Sequence, residues 1–164
     1  MVSKLTSYNL TLRKAKLSDF NAIKNLRQEA SKRSISHYSE KDVEVMNHAG
    51  EHFILDFINL YRKTYVGISN DHIVGYITLN LSKKWLWHLF VDSKFQGKGI
   101  GKSLMNKVEN IFKQNHLDEI NLYARLNAVE FYKKRGFIDK GKWPWKNIFT
   151  GYREIELRRM IKKI

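Results

Sequence analysis

The feature that most constrains this sequence is a run of three alternating glycines, Gly97, Gly99 and Gly101. An apolar run, Trp85–Val91, precedes the glycines, and an amphipathic stretch with helical spacing follows them. Glycine leaves backbone N–H groups uncovered and lets the chain approach a ligand closely. The start of a helix adds unpaired N–H donors and a partial positive charge. The pattern therefore predicts a strand, a phosphate-binding turn and a helix, in that order.

Three kinds of phosphate-binding turn use closely spaced glycines, and the spacing separates them. A Rossmann dinucleotide-binding turn requires G-x-G-x-x-G, but Lys102 stands at the position of the last glycine. A P-loop requires G-x-x-x-x-G-K-[ST], and Gln96 occupies the place of its first glycine. The third pattern, Q-x-x-G-x-G, matches at Gln96, Gly99 and Gly101. The spacing therefore disfavours both dinucleotide binding and nucleotide hydrolysis.

The rest of the chain alternates between patterns typical of strands and of helices. Strands are predicted at 9–14, 65–68, 73–81, 85–91, 120–124, 137–140 and 152–160. Helices are predicted at 18–30 behind the N-cap Ser18-Asp19, at 40–60 with an interruption at Gly50, at 100–112 and at 128–135. With 164 residues, 43% of them hydrophobic, we expect one α/β (α+β) domain over 1–164. Its mixed, mostly antiparallel sheet is flanked by helices on both faces.

In these motifs the sequence resembles the GNAT superfamily of acetyl-CoA-dependent N-acetyltransferases. That family has a Q/R-x-x-G-x-G/A turn, and its A-x-x-F-Y-x-x-x-G-F segment is similar to residues 128–137. The resemblance spans 85–137 and implies a GNAT-like fold, acyltransferase activity, acetyl-CoA as co-substrate and no metal. The CoA-binding residues that it implies are Leu89, Phe90 and Val91 on the strand and Gln96, Gly97, Lys98, Gly99, Ile100, Gly101 and Lys102 in the turn.

The resemblance also implies a mechanism of direct transfer to a primary amine. The backbone N–H of Val91 steadies the oxyanion, and Tyr132, which also contacts CoA, protonates the leaving thiolate. A phenol suits this role because its pKa near 10 keeps it protonated at neutral pH. Many family members carry a glutamate near the start of the central strand, but this strand has none, so His88 is the candidate base. Glu51 or Asp92 acting through water, or no single base, stay open.

One position departs from the family pattern. An asparagine often stands three residues before the alanine of the short helix and binds the pantetheine arm, but here that position is Arg125. Asn127 comes immediately before Ala128, where we favour it as the N-cap of the helix. Either Arg125 or Asn127 therefore contacts the CoA arm.

A competing motif, H-x-x-E-H, occurs at His48, Glu51 and His52 and is typical of one class of zinc enzymes. On a helix the two histidines would lie on one face, but Gly50 disfavours that helix. No further segment obviously supplies a third ligand. We therefore expect solvated or substrate-facing histidines rather than a metal site.

Two further features concern the acceptor. Residues 34–60 carry a net charge of −4, from the acids Glu40, Asp42, Glu44, Glu51 and Asp56 against Lys41. The resemblance places this stretch on the acceptor side, where it would attract an amine; a solvated helix face is the alternative. Within the connection 141–151, Trp143-Pro144-Trp145 either stacks on the acceptor or covers the core edge or a homodimer interface.

Composition limits the remaining classes of function and location. The chain has no cysteine, which excludes disulfides, zinc knuckles and cysteine nucleophiles. Its N-terminus lacks an apolar signal core and its apolar runs are short, so we expect a cytoplasmic protein without a membrane partner. The net charge of +14 attracts polyanions, which leaves a CoA-sensing or nucleic-acid-binding regulatory module as the alternative to an enzyme. As an enzyme it would take acetyl-CoA and a polyamine, aminoglycoside, amino acid or protein amine.

Overall fold

The computed structural model describes residues 10–51, 61–146, 151 and 154–164, and its elements follow the predicted order. The strands are β1 (Thr11–Lys14), β2 (Lys63–Ser69), β3 (His72–Asn80), β4 (Trp85–Val91), β5 (Glu119–Ala124), β6 (Ile138–Trp145) and β7 (Ile155–Lys163). The helices are α1 (Phe20–Ser31), α2 (Glu40–Glu51), α3 (Ile100–Gln114) and α4 (Val129–Lys133). The predicted strand positions 9, 152 and 153 lie outside the described residues.

The seven strands form one sheet in the order β1-β2-β3-β4-β5-β7-β6. β4 and β5 are parallel, and all other neighbours are antiparallel. One apolar cluster joins α1 to the sheet through Ile23 and Leu26, and another joins α3 to it through Leu104. Phe90 packs against the first cluster and Val91 belongs to the second, because successive strand residues face opposite sides. The predicted mixed sheet with helices on both faces is confirmed.

The sheet opens between its two parallel strands. β4 and β5 pair at Trp85 opposite Asn121, where Asn121 N donates to Lys84 O at 2.9 Å. Along its other edge, the pairing of β4 with β3 passes from His88 to Leu86, so that Trp87 is an extra residue in a bulge. A bulge bends its strand and strengthens the local twist, which favours the separation of β4 from β5. The resulting gap lies beside the C-terminal half of β4.

Two predicted helix signals differ in part from the structure. Asp19 occupies the N-cap position of α1 as predicted, but its side chain makes no capping bond to that helix. Its carboxylate instead accepts hydrogen bonds from Arg13 at 2.7 and 2.9 Å and from Lys16 N at 2.7 Å. Gly50 does not interrupt α2, which continues through it to Glu51. A helical glycine costs only about 1 kcal/mol, and the buried side chains of Val43 and Met46 hold this helix against the core.

The segment predicted to connect the last two strands is in part a strand. β6 continues to Trp145 after an irregularity at 139–142, where Gly141 has a φ of +107°. Pro144 is tolerated because β6 is the outermost strand of the sheet. Trp143 and Trp145 are therefore held by strand pairing, opposite Leu157 and Ile155.

Candidate active site

A cavity of about 1020 Å³ occupies the gap between β4 and β5. The predicted site residues that line it are His88, Leu89, Phe90, Val91, Gln96, Gly97, Gly99, Gly101, Lys102, Arg125, Asn127 and Tyr132. Two predicted CoA contacts are not among the lining residues. The Lys98 ammonium lies 5.4 Å from the centre of the Phe95 ring, and the side chain of Ile100 is buried in the core.

The glycine turn leaves an open cradle at the start of α3. Gly97 and Gly99 have φ angles of +76° and +84°, which favour glycine, and no atom lies within 4 Å of a Cβ built on either. The first backbone bond of α3 runs from Ser103 N to Gly99 O at 3.0 Å. The N–H groups of the first three helical residues therefore have no partner within the helix. These N–H donors border open space, and such an arrangement suits an anionic pyrophosphate.

The end of β4 directs backbone groups into the gap. Asp92 N donates to Val74 O at 2.9 Å, so the backbone N–H of Asp92 points toward β3. The backbone N–H of Val91 therefore points to the other edge of β4, toward the gap. Gln96 Nε2 donates to Val91 O at 2.9 Å. Gln96 therefore ties the glycine turn to the end of β4, in addition to lining the cavity.

Tyr132 reaches the same cavity from α4. Its side chain is buried, and its ring meets those of Phe131 and Phe137 edge-on, at centroid distances of 5.1 and 5.3 Å. Burial raises the pKa of the Tyr132 hydroxyl well above its ordinary value. The hydroxyl therefore stays protonated at neutral pH and can donate a proton to a strong base.

Asn127 is not the N-cap of α4, so that prediction is wrong. It lies in a 3-10 turn, Leu126–Ala128, which precedes the helix, and the cap position falls on Ala128. The Asn127 side chain lines the cavity, and its Oδ1 accepts a hydrogen bond from Ser34 Oγ at 3.3 Å. The turn shifts the helix start by one residue, which leaves the Asn127 amide available to a ligand.

Arg125 points toward α1 and the 3-10 turn that follows it. Its Nη1 donates to Ser31 Oγ at 2.9 Å and to Ser34 Oγ at 3.2 Å, and its guanidinium lies 5.2 Å from the centre of the Phe90 ring. Burial, and then repulsion from Arg27, lower the pKa of Arg125 to about 10. Arg125 therefore stays charged at neutral pH.

His88 lies on the same face of β4 as Phe90, with ring centroids 6.2 Å apart. Burial lowers the pKa of His88 well below its ordinary value, and repulsion from Arg27, Arg62 and Arg125 lowers it further. The imidazole is therefore neutral at physiological pH and able to accept a proton.

The other candidate bases have different positions. Asp92 does not line this cavity, and its Oδ1 accepts from Lys94 N at 2.8 Å. The side chain of Glu51 lies outside the described residues. The same is true of His52, so the H-x-x-E-H motif is only partly described; among the described residues no group of three or more metal-ligating side chains occurs.

The described cavity lining is not acidic, although the sequence predicts an acidic acceptor side. The described acids of α2, Glu40, Asp42 and Glu44, do not line the cavity, whereas Met46 of the same helix does. Asp56 lies outside the described residues. The charged lining residues are Arg27, Arg33, Arg62, Lys102 and Arg125. The described part of the lining is therefore cationic, because α2 turns an apolar face to the cavity and its acids elsewhere.

Aromatic rings line the cavity next to β5 and β6. Trp143 stacks on Tyr123 with centroids 4.7 Å apart, and Tyr123 also meets Trp85 at 4.9 Å. Trp143 is 41% exposed, whereas Trp145 packs against a small apolar cluster around Val43. Both tryptophans line the cavity. The exposure of Trp143 favours contact with the acceptor, whereas the packing of Trp145 favours a role in the core.

Sequence reasoning missed two residues of the cavity lining, Arg27 and Arg62, and also Tyr38, which anchors the turn next to the cavity. Arg27 could have been noticed, because it falls on the buried stripe of α1 that carries Ile23 and Ala30. Arg62 just precedes β2, and its guanidinium lies 4.2 Å from the centre of the Trp87 ring. Tyr38 donates to Glu156 O at 2.7 Å and accepts from Leu126 N at 2.9 Å. No sequence pattern signals these long-range contacts.

A family model described as an acetyltransferase (GNAT) domain matches residues 25–147, which include the glycine turn, Tyr132 and both strands of the gap. The chain belongs to the GNAT acetyltransferase family. Residues 25–147 are accordingly an acetyltransferase domain, and the family implies acetyl-CoA as the co-substrate of such a domain.

Curated relatives match over shorter stretches. GCN5-related N-acetyltransferase 2 of Arabidopsis thaliana chloroplasts is 36% identical over 52 residues, which are 32% of this chain and 20% of that protein. The protein YdhI of Bacillus subtilis is 37% identical over 71 residues, which are 42% of this chain and 44% of YdhI. The chain thus spans less than half the length of these relatives.

Solved GNAT structures match the fold over nearly the whole chain. A GCN5-related N-acetyltransferase from Rhodopseudomonas palustris has a TM-score of 0.83 at 19% identity, covering 94% of this chain and 95% of its own. The PaiA N-acetyltransferase from Thermoplasma acidophilum, in complex with coenzyme A, has a TM-score of 0.73 at 21% identity, covering 94% and 99%. The fold is therefore that of GNAT enzymes.

Among the helices in the described ranges, none combines the length and the apolar character needed to cross a bilayer.

Proposed function

We propose that this GNAT protein transfers the acetyl group of acetyl-CoA to a primary amine by direct attack of that amine. The observation that carries the proposal is the meeting of an open glycine cradle, Tyr132 and His88 in one cavity. The cradle supplies anion binding, Tyr132 a proton donor and His88 a proton acceptor. These are the functions that acyl transfer from a thioester to an amine requires.

The cradle and the end of β4 would hold the co-substrate. Unpaired N–H groups at the start of α3, with Lys102 beside them, fit its pyrophosphate. The N–H of Val91 faces the gap and would donate to the thioester carbonyl oxygen. Acetyl-CoA supplies an activated acyl group with a thiolate as its leaving group. Tyr132, kept protonated by burial, would give that sulfur a proton.

His88 would take the proton that the attacking ammonium loses. A base with a low pKa is unprotonated at neutral pH and can therefore accept a proton, but it binds that proton weakly. The arginines that depress the pKa of His88 would depress the pKa of a bound ammonium as well, because like charges disfavour the charged form. The cationic lining therefore favours the neutral amine, which is the form that attacks the thioester.

The experiment compares wild type with Tyr132→Phe in calorimetric titration with acetyl-CoA and in CoA release with a panel of amines. We expect acetyl-CoA binding in both proteins, and a kcat about 100-fold or more lower in the variant. Unchanged kcat would overturn the role of Tyr132. Binding without turnover of any amine would instead favour a CoA-sensing module, and no binding of acetyl-CoA would reject the proposal.

A further inference from the structure

Arg27 is a buried arginine whose side chain is only partly satisfied. It projects from α1 into the cavity lining and is 8% exposed. Its Nη2 donates to Met46 O at 3.3 Å. Its Nε and Nη1 are buried and have no hydrogen-bond partner among the described residues. Leaving charged donors unpaired in the interior is costly, so this position favours a partner that the described residues do not supply.

A second arginine comes to the same place. The guanidinium carbons of Arg27 and Arg125 lie 5.3 and 5.2 Å from the centre of the Phe90 ring. Two serine hydroxyls fix Arg125 in this position. Within residues 10–51, 61–146, 151 and 154–164, the cavity lining contains no carboxylate that could balance the two charges.

The phosphates of CoA are not the expected counter-charge. The glycine cradle begins α3, which packs on the face of the sheet that Val91 covers. Arg27 belongs to α1, on the opposite face, where Phe90 packs. The strand β4 thus separates the two cationic regions, and the one at Arg27 lies on the side left for the acceptor.

We propose that Arg27 and Arg125 bind a carboxylate of the acceptor, which is therefore a small amine carrying a carboxylate, such as an amino acid. The inference rests on the proposed function and names its substrate class. A guanidinium presents donors in a planar fork that matches a carboxylate. His88 lies beside Phe90 on the same face of β4, so a carboxylate held at the arginines brings the neighbouring amine to the base.

The test pairs each amino acid with its own carboxamide, which keeps the amine and the side chain but removes the negative charge. CoA release is measured with acetyl-CoA for wild type, Arg27→Gln, Arg27→Lys and Arg125→Gln. Arg159→Gln is the matched control, because it removes the same charge from an exposed residue outside the cavity lining.

In wild type and in Arg159→Gln we expect at least one amino acid to be preferred over its amide by about 10- to 100-fold in kcat/KM, mostly through KM. In Arg27→Gln the preference falls to near parity while the Kd of acetyl-CoA is unchanged. Arg27→Lys keeps the charge without the fork and recovers only part of the preference. Arg125→Gln, checked by its thermal melt, replaces Arg27→Gln if the latter fails to fold.

Three results would overturn the assignment: amides accepted as well as acids, an unchanged preference in both glutamine variants, or weakened acetyl-CoA binding in Arg27→Gln. A binding assay separates this inference from the proposed function. If no amine is acetylated, the proposed function fails. Thermal shift with the same amino acids and amides then decides whether a carboxylate stabilises wild type more than Arg27→Gln, and equal stabilisation rejects the site.

Discussion

Arg125 donates from Nη1 to Ser31 Oγ at 2.9 Å and so joins the end of β5 to the end of α1 across 94 residues of sequence. The hydroxyl of Ser31 is almost fully buried, at 1% residue exposure. This bond sets the direction of the guanidinium at the cavity wall. It links the stability of the fold to the geometry of the acceptor side.

Removing that hydroxyl should destabilise the protein and loosen the site. We expect Ser31→Ala to lower the free energy of unfolding by about 1–3 kcal/mol, because a charged donor loses one of its two acceptors. The measurement is urea denaturation, followed by the KM for the acceptor, which should rise. Ser36→Ala, whose exposed hydroxyl bonds to Arg33 O, is the control and should change neither.

Tyr38 should behave as a positioning residue for the turn that carries Arg125 and Asn127. Tyr38→Phe removes a donor to Glu156 O and an acceptor for Leu126 N, so we expect a loss of about 1–3 kcal/mol in unfolding free energy. The acceptor KM should rise more than kcat falls, because the cavity wall loses its anchor. Tyr65→Phe, at a half-buried tyrosine of β2 outside the cavity lining, is the comparison; equal effects from both variants would contradict this role.

The cradle can be tested with a small substitution at Gly99. Gly99→Ala forces a Cβ into the space over the α3 N-terminus at a φ of +84°, so acetyl-CoA should bind about 10-fold or more weakly. Strain alone should cost about 1–2 kcal/mol of stability. Gly151→Ala, at a φ of +59° and away from the cavity lining, imposes comparable strain and should leave binding intact. Calorimetric titration distinguishes the two variants.

His88 should make the protein sensitive to acid. Its pKa in the folded state lies below its ordinary value near 6.5, so the unfolded state binds more protons as the pH falls below 6.5. Stability is therefore complete above that pH and declines below it. We expect His88→Gln to flatten this decline in urea titrations, and an unchanged decline would contradict the depressed pKa.

The lowered pKa of His88 should also appear in the pH dependence of catalysis. NMR titration of the His88 ring should give a pKa below 6.5, and the acidic limb of kcat/KM should follow it. Of the charged groups that face this ring, Arg27, Arg62 and Arg125 all lower its pKa. Arg27→Gln should therefore raise the pKa of His88 and move the limb to higher pH. A limb that stays in place would assign it to another group.

Much of the fold was predictable because its signals are local. The strand at Trp85–Val91, the turn and the helix at Ile100–Gln114 follow from apolar spacing and glycine chemistry within about thirty residues. Where prediction was wrong, tertiary contacts prevailed over a local preference. Asp19 stands at the N-cap position of α1, but its carboxylate binds Arg13 instead of capping that helix, and Gly50 lies within α2.

The sequence by itself determined the order of elements, the open glycine turn before α3 and the position of Tyr132, since each is encoded in consecutive residues. Only the tertiary structure decided which charges meet in the cavity. Arg27, Arg62 and Arg125 come from three distant parts of the chain and converge because β4 and β5 pair at one end and then separate. Such convergence depends on strand pairing and packing across a gap, which no local pattern of residues records.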